Sequence, residues 1–151
     1  MNAMLHPVSK APTRSSKLGT MVDLFPLSAE LHASDLFLDQ EPNQWFYLFE
    51  GPFESFADFR DYIERLEKTT DRFYFAIVSR ATGKACGLFA LINYEPNHDA
   101  IEVGNVLLGL SLRKTRQATE AFFLIIQVAF EECNCRRCVF SPAFLIFFFF
   151  F

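Results

Sequence analysis

Residues 101–130 combine an apolar strand pattern, a short basic turn and an apolar helix pattern in one uninterrupted run. The strand part is rich in β-branched and apolar residues, and Glu102 is its only charged residue. The turn that follows carries three cations, Arg113, Lys114 and Arg116. Thr119 can cap the helix behind them, so unpaired backbone N–H groups and the positive end of the helix dipole would face the same place as the cations. The run therefore predicts a binding site for a phosphate-like anion.

This strand, turn and helix resemble the cofactor-binding part of the GNAT superfamily of acetyl-coenzyme A dependent N-acetyltransferases. In that family the turn has the form Gln/Arg-x-x-Gly-x-Gly/Ala, and residues 113–118 fill it here. Arg113 and Ala118 match two of the three marked positions, whereas Arg116 stands where the first glycine is usual. The next residues, Ala-Thr-Glu-Ala at 118–121, resemble the helix start of the branch that acetylates ribosomal protein N-termini, aminoglycosides and polyamines.

The resemblance implies an α+β fold, a sandwich-like arrangement in which a mixed, mostly antiparallel sheet is flanked by helices. It implies acetyl-coenzyme A (acetyl-CoA) as the acyl donor and a small-molecule or peptide amine as the acceptor. Carried over by position, the pantetheine would lie against the end of the strand and the phosphates against the turn. The candidate cofactor-binding residues are Val106, Leu107, Leu108, Arg113, Lys114, Thr115, Arg116, Gln117, Ala118 and Thr119.

Glu102 is the candidate catalytic residue. The resemblance implies that an unprotonated amine attacks the acetyl thioester directly within a ternary complex, and Glu102, or a water that it holds, would then remove the amine proton. The alternative is an ordinary strand carboxylate that faces solvent or pairs with an arginine. A different class of function, a CoA-binding remnant without transferase activity, also stays open.

A set of strands surrounds this run in the sequence pattern. The predicted strands cover residues 72–79, 84–94, 100–108 and 136–140. Gly83 lies in the turn between the first two and can supply the positive φ angle that a hairpin turn needs. A helix is expected over residues 119–132, so the last two strands should be parallel and joined by a right-handed crossover.

The N-terminal half predicts one strand, at residues 20–27, and a helix that Ser28 caps. In that helix Leu31 and Leu38, with Leu36 beside them, should form one narrow apolar stripe against the sheet, and His32 should lie on the surface.

A second helix should begin at the capping pattern Ser55-x-x-Asp58. In the aromatic stretch before it, Trp45, Phe46 and Tyr47 are expected to pack in the core, and the alternative is that they line an acceptor pocket.

Charge and hydropathy exclude several classes of partner. The net charge of -4 and the pI near 5.3 argue against a general nucleic-acid binder, because only residues 113–116 form a basic cluster. A membrane anchor is not expected, because the apolar C-terminal run is far shorter than the roughly 20 residues that span a bilayer. The sequence carries no indication of an oligomeric state.

The four cysteines show no disulfide pattern, which favours a reducing, cytoplasmic location. Three of them have the spacing Cys133-x-Cys135-x-x-Cys138, which resembles half of a zinc site. A fourth ligand would have to come from a distant residue, namely Cys86, His98 or His6. We therefore expect no metal.

Three segments are expected along the chain. Residues 1–19 should be a flexible tail, for which a transit peptide is the alternative, and residues 20–140 should form the domain. In the family a fourth helix and a hairpin of two strands follow the fifth strand and wall the acceptor site. Residues 141–151, which end in five phenylalanines, do not correspond to them. We therefore expect a partial domain, truncated at its C-terminus, with an aberrant tail.

Overall fold

The computed structural model describes residues 8–45, 48 and 50–141 of the 151-residue chain. The strands are β1 (Lys17–Leu18), β2 (Val22–Pro26), β3 (Phe73–Ser79), β4 (Ala85–Glu95), β5 (Ala100–Leu108) and β6 (Arg137–Phe140). The α-helices are α1 (Ala29–Leu38), α2 (Phe56–Glu67) and α3 (Arg116–Gln127). Short 3₁₀ turns cover Pro42–Trp45 and Pro96–His98, and a π-helical turn over Val128–Glu132 continues α3.

The strands of the described residues form a single sheet in chain order, from β1 to β6. Neighbours from β1 to β5 are antiparallel, and β6 runs parallel to β5 because α3 carries the chain back between them. Gly83 has a φ angle of 70° in the β3–β4 turn. The predicted hairpin, the parallel pairing of the last two strands and the α+β class are therefore confirmed.

Both faces of the sheet are buried, and the strand residues alternate between them. Phe75 and Ile77 of β3 belong to the core on the α3 side, together with Ile125. Tyr74 and Ala76 belong to the second core, under α1 and α2. Because both faces are covered, the central strands have nearly continuous apolar sequences instead of alternating apolar and polar ones.

The predicted apolar stripe of α1 is correct for Leu36 and wrong for the other two leucines. Leu31 and Leu38 are 71% and 78% exposed, and the helix instead turns Ala29, Ala33 and Leu36 toward the sheet. The two alanines let the helix backbone approach the strands closely, and this close packing outweighs the larger area of the two leucines. A prediction based on the large apolar residues alone overlooks the alanines, which belong to the buried face of this helix.

His32 is buried, so the prediction of a surface histidine is wrong as well. Its Nδ1 accepts a hydrogen bond of 3.0 Å from the backbone N–H of Ser28, the residue that caps α1 as predicted. Burial lowers the pKa of His32 and outweighs the opposite effect of the nearby Asp35 and Glu67 carboxylates. His32 is therefore a neutral structural residue at pH 7.

Trp45 packs in the core, as predicted. It is 3% exposed, and its ring meets those of Phe53, Phe59 and Tyr62 edge to face. Phe46 and Tyr47 lie outside the described residues. The helix after this cluster, α2, begins at the predicted cap, where Ser55 accepts a hydrogen bond from the N–H of Ala57.

The N-terminal segment is more ordered than predicted. Residues 17–18 form β1 and pair with β2, so the expectation of a flexible tail up to residue 19 is wrong for this part. Further upstream, the Ser9 hydroxyl lies 3.1 Å from that of Tyr94, and the N–H of Lys10 donates to the carbonyl of Cys133. Residues 1–7 lie outside the described part of the chain.

At the other end, the predicted aberrant tail lies outside the described residues from position 142 onward. Ser141, the last described residue, donates its N–H to the carbonyl of Val103. Within the described ranges, we find no helix with both the length and the hydropathy needed to cross a bilayer.

Glu120 ties the N-terminal part of the sheet to α3. Its carboxylate accepts hydrogen bonds from the backbone N–H groups of Thr20, Met21 and Val22, at 2.9, 2.6 and 2.8 Å. Burial raises the pKa of Glu120, but the three donors lower it further, so the net shift is downward. A lowered pKa in the folded state means that the charged carboxylate stabilises the fold above the pKa of the unfolded chain.

We expect Glu120→Gln to destabilise the protein by about 1 to 3 kcal/mol at pH 7, because hydrogen bonds to a charged acceptor are lost or weakened. The difference from wild type should shrink as the pH falls through the pKa of the folded protein, below the ordinary value of 4.5, because the wild-type carboxyl then becomes neutral too. Urea unfolding at pH 7 and in acid measures both effects. Glu54→Gln, at an exposed position, is the control. Equal destabilisation by Glu120→Gln at both pH values would contradict the charge argument.

Candidate functional site

A bulge in β5 marks the start of the candidate site. Leu107 pairs with Leu88 and Gly104 pairs with Ala90, so two residues of β5 oppose one residue of β4 between these pairs. Asn105, the first of the two, has a φ angle of 49°. Such a bulge bends its strand and changes the direction of the following side chains.

Gly104 lies immediately before the bulge. A Cβ atom at this position would lie 2.5 Å from Cδ1 of Ile92, so a side chain here would require Ile92 to move. Next to it, the amide of Asn105 donates a hydrogen bond to the buried hydroxyl of Tyr74. Asn105 and Tyr74 were missed by the sequence analysis, and an asparagine inside an apolar strand pattern is the signal that could have found them.

The parallel pairing of β6 with β5 is described for the first four residues of β5, which precede the bulge. The pairing of β6 with β5 runs from Ala100 to Val103, and the N–H of Ser141 then bonds the carbonyl of Val103. Within the described residues, β6 does not pair with positions 104–108 of β5. Val106, Leu107 and Leu108, the candidates for contact with pantetheine, all lie in this part of β5. This is the part of β5 at which the resemblance puts the cofactor.

The turn after β5 ends in a capped helix, but the cap is Thr115 and not Thr119. Thr115 has extended backbone angles and accepts a hydrogen bond of 3.2 Å from the N–H of Ala118. Its hydroxyl also donates to the carbonyl of Leu112, which holds it in place. Both Thr119 as the cap and a helix start at 119 are therefore wrong, because the threonine nearer to the turn is already in position.

The first turn of α3 is consequently closer to the cations than predicted. The N–H groups of Arg116 and Gln117 precede the first helical hydrogen bond, which runs from the N–H of Thr119 to the carbonyl of Thr115. The side chains of Lys114 and Arg116 are exposed, and Lys114 has a φ angle of 56°. Helix N–H groups, the helix dipole and two exposed cations are thus collected at one place, as an anion site requires.

Arg113 is arranged differently from the other two cations. Its guanidinium lies 2.8 Å from a carboxylate oxygen of Glu41, donates to the carbonyl of Leu108, and is 3.4 Å from the side-chain oxygen of Gln44. Its side chain is only 11% exposed. The structure therefore places Arg113 against the segment after α1, whereas the sequence placed all three cations around the anion.

Glu102 lies on β5 between Ile92 of β4 and Val139 of β6. One of its carboxylate oxygens accepts a hydrogen bond of 2.8 Å from the side-chain amide of Asn93. In the described residues its side-chain hydrogen bond is to an asparagine, and the suggested ion pair with an arginine is not formed. At about 3.3 Å per residue, Glu102 lies roughly 13 Å along the strand from Val106.

A cleft of about 380 Å³ adjoins the turn. Its walls include Ser111 and Gln117 from the turn and α3, Asp39 from the end of α1, and Lys84 and Cys86 from the start of β4. These residues are far apart in the sequence. Pattern reasoning along the chain therefore could not assemble this cleft.

The cysteines do not form an evident metal centre. Cys133 and Cys135 are buried, Cys138 is half-buried, and all three are free thiols. Burial raises the pKa of Cys133 to about 12 and that of Cys138 to about 11, so both are protonated at neutral pH. In the part of the chain that the structure describes, we find no cluster of three or more His, Cys, Asp or Glu residues suited to a metal ion. His6, one of the suggested ligands, lies outside that part.

Comparison with protein families gives one match that covers most of the chain. The model of the acetyltransferase (GNAT) domain matches residues 22–143. A search of curated proteins gave no match.

Solved structures with the same fold include a GCN5-related N-acetyltransferase from Brucella melitensis, with 32% identity and a TM-score of 0.82 over 86% of this chain. A probable acetyltransferase of the GNAT family from Chromobacterium violaceum ATCC 12472 has 29% identity and a TM-score of 0.80 over 91% of this chain. This chain spans 61% of the Brucella protein and 70% of the Chromobacterium protein.

A spermidine N-acetyltransferase chimera from Vibrio cholerae has 18% identity and a TM-score of 0.57, and the match covers 77% of this chain and 67% of the chimera. At that identity the likeness concerns the fold alone. The GNAT model, in contrast, matches far more than half of the chain, and the Brucella protein shares nearly a third of its residues over most of it. The chain therefore belongs to the GNAT acetyltransferase family and has the acyl-CoA N-acyltransferase fold of that family.

Proposed function

We propose that this chain binds acetyl-CoA at the end of β5 and the start of α3, and that it transfers the acetyl group to a primary amine. The observation that carries the proposal is the capped N-terminus of α3, which stands beside Lys114 and Arg116 in the turn that follows β5. Membership of the GNAT family supports acyl transfer as the general chemistry.

The phosphates of the cofactor would bind at the first turn of α3. The N–H groups of Arg116 and Gln117 and the positive end of the dipole favour an anion there, and Lys114 and Arg116 add two positive charges. The guanidinium of Arg116 can hold two phosphate oxygens at once, which offsets the absence of the glycine usual at this position. Arg113 would not hold a phosphate directly, because its guanidinium is paired with Glu41; it would instead support the turn that carries Lys114 and Arg116. Ala118 and Thr119 lie in the same turn of helix and complete the proposed cofactor site with Thr115.

The pantetheine arm would extend from there along Val106, Leu107 and Leu108. The side of β5 that turns away from β4 has main-chain N–H and carbonyl groups in this stretch, and β6 does not pair with it in the described residues. An amide-containing chain can pair with such a strand edge through main-chain hydrogen bonds. This arrangement would bring the thioester toward the paired part of the two strands, where Glu102 lies.

Glu102 is the proposed general base. The amine nitrogen forms a bond to the thioester carbonyl carbon, the C–S bond breaks, and the CoA thiolate leaves. The proton lost by the amine goes to Glu102 or to a water that it holds. Asn93 orients the carboxylate through its 2.8 Å hydrogen bond and leaves the second oxygen to meet the proton.

The acceptor is proposed only as a class, a primary amine on a small molecule or a peptide. The Ala-Thr-Glu-Ala sequence at 118–121 supports the branch that acetylates ribosomal protein N-termini, aminoglycosides and polyamines. In this structure, however, Glu120 of that sequence accepts hydrogen bonds from the backbone N–H groups of residues 20–22. The glutamate therefore has a structural role here. The free cysteines support a reducing, cytoplasmic location.

We expect the double variant Lys114→Ala, Arg116→Ala to bind CoA about 10- to 100-fold more weakly than wild type, because two charge-assisted contacts to phosphate are lost. Isothermal titration calorimetry measures the affinity. The loss should decrease at high salt, because exposed charges are screened. Lys68→Ala, which removes an exposed lysine at the end of α2, should leave the affinity unchanged. Equal affinities of the double variant and wild type would show that the phosphates bind elsewhere.

Glu102→Gln should lower kcat for thiol release from acetyl-CoA with an amine acceptor by about 10²- to 10⁴-fold, the usual contribution of a general base. CoA affinity should stay within about twofold, because Glu102 is not a proposed cofactor ligand. Glu95→Gln, an exposed carboxylate on the same sheet, is the matched control.

Two other results of this assay have defined meanings. Wild-type turnover that Glu102→Gln leaves intact would remove Glu102 from the base role. A wild-type chain that binds CoA but shows no turnover with a panel of amines would support the alternative function, a CoA-binding protein without transferase activity.

A further inference from the structure

We propose that Asp39 and Glu41, two carboxylates directly after α1, are positioning residues for the cofactor turn. This inference rests on the proposed function, since it assigns a role toward CoA. Neither residue lies near the turn in the sequence, and each reaches it through a contact that spans 72 positions of the chain.

Asp39 holds the first half of the turn through several contacts. Its carboxylate accepts hydrogen bonds from the backbone N–H of Ser111, at 3.1 Å, and from the Ser111 hydroxyl. Its own backbone carbonyl accepts from the N–H of Leu110 at 3.0 Å. A Cβ atom at Gly109 would collide with the same carboxylate, so the glycine permits this close approach.

Glu41 holds the second half of the turn by way of Arg113. The ion pair of 2.8 Å joins Glu41 to Arg113, and the Nε of Arg113 donates to the carbonyl of Leu108 at the end of β5. Gln44 approaches the same guanidinium from the 3₁₀ turn that follows. Arg113 thus links three places, the end of β5, the turn, and the segment after α1.

The geometry of the turn explains why such support matters. Between Gly109 and the cap at Thr115 the chain reverses direction and passes through Lys114, whose φ angle of 56° is unfavourable for a side chain with a Cβ. If the turn relaxed, the first turn of α3 and Lys114 would no longer be fixed relative to the end of β5. Asp39 and Glu41 therefore organise the anion site before the cofactor arrives, which reduces the entropy cost of binding.

The experiment compares CoA affinity with stability in three variants. Asp39→Ala removes the contacts of the carboxylate, and we expect the Kd for CoA to rise at least about tenfold. Asp39→Asn retains an acceptor for the Ser111 N–H and should recover part of the affinity. Leu36→Val is the matched control, because Leu36 is buried in the same helix but faces the core instead of the turn. It should lower the melting temperature and leave the Kd within about twofold.

A double-mutant cycle tests the Glu41 half of the inference. Glu41→Gln and Arg113→Gln should each weaken CoA binding. The double variant should have the same Kd as the single variant with the larger loss of affinity, because both changes break the same ion pair. Additive effects would overturn the assignment of Glu41. The exposed Arg65 and Glu50 pair, at 2.7 Å, is the control ion pair, and Glu50→Gln should not change the Kd.

The results separate this inference from the function on which it rests. A wild-type chain that binds no CoA would overturn the proposed function, and the cofactor role of Asp39 and Glu41 with it. Wild-type binding combined with an unchanged Kd in Asp39→Ala would overturn the inference alone. A similar loss of affinity in Leu36→Val would do the same, because it would show that any loss of stability near α1 weakens binding. Faster amide hydrogen exchange over residues 109–115 in Asp39→Ala, but not in Leu36→Val, would support the inference.

Discussion

In the described residues β5 and β6 pair in parallel from Ala100 to Val103, and the candidate site depends on this parallel arrangement. Up to that point β5 has a partner strand on each side. Beyond it, the bulge at Asn105 bends the strand, and the described part of β6 does not follow. The crossover then places the start of α3 at the end of the same strand. As a result, main-chain groups of a strand and N–H groups of a helix lie next to each other, and both can bind a ligand in this one region.

The position of α3 is in turn held by the segment that precedes β2. Lys10 bonds the carbonyl of Cys133 just after the helix, Lys17 pairs with Glu132 at 2.9 Å, and residues 20–22 bond Glu120 in the first half of α3. These contacts are spread along the length of the helix. Lys10 and Lys17 lie in the segment that was predicted to be a flexible tail. This segment therefore helps to fix the axis of α3 and the direction of its N-terminus.

Much of the fold was predictable because the relevant information is local. The strand at 100–108, the Gly83 hairpin and the parallel last strand follow from apolar runs, a turn residue and the order of elements. The errors concern choices that distant residues decide. Leu31 and Leu38 face solvent because the alanines of α1 pack closely against the sheet, and Thr115 caps α3 because the turn positions it and bonds its hydroxyl. Neither the sheet surface nor the shape of the turn can be read from the segment itself.

The charge around the turn after β5 differs from the sequence-based expectation. Sequence reasoning counted three cations, whereas the structure brings the carboxylates of Asp39 and Glu41 to the same turn, and Glu41 pairs with Arg113.

Lys114 and Arg116 are the cations that remain exposed, and the two bridging phosphates of a pyrophosphate carry two negative charges between them. Acidic residues close to an anion site would at first sight weaken it, since like charges repel. Here both carboxylates accept hydrogen bonds from the turn, so much of their charge is already compensated before the ligand binds. In the proposed cofactor site, the charge of Arg113 is thus used to fix the turn, and a turn that is ordered in folding reduces the entropy cost of binding a diphosphate beside Lys114 and Arg116.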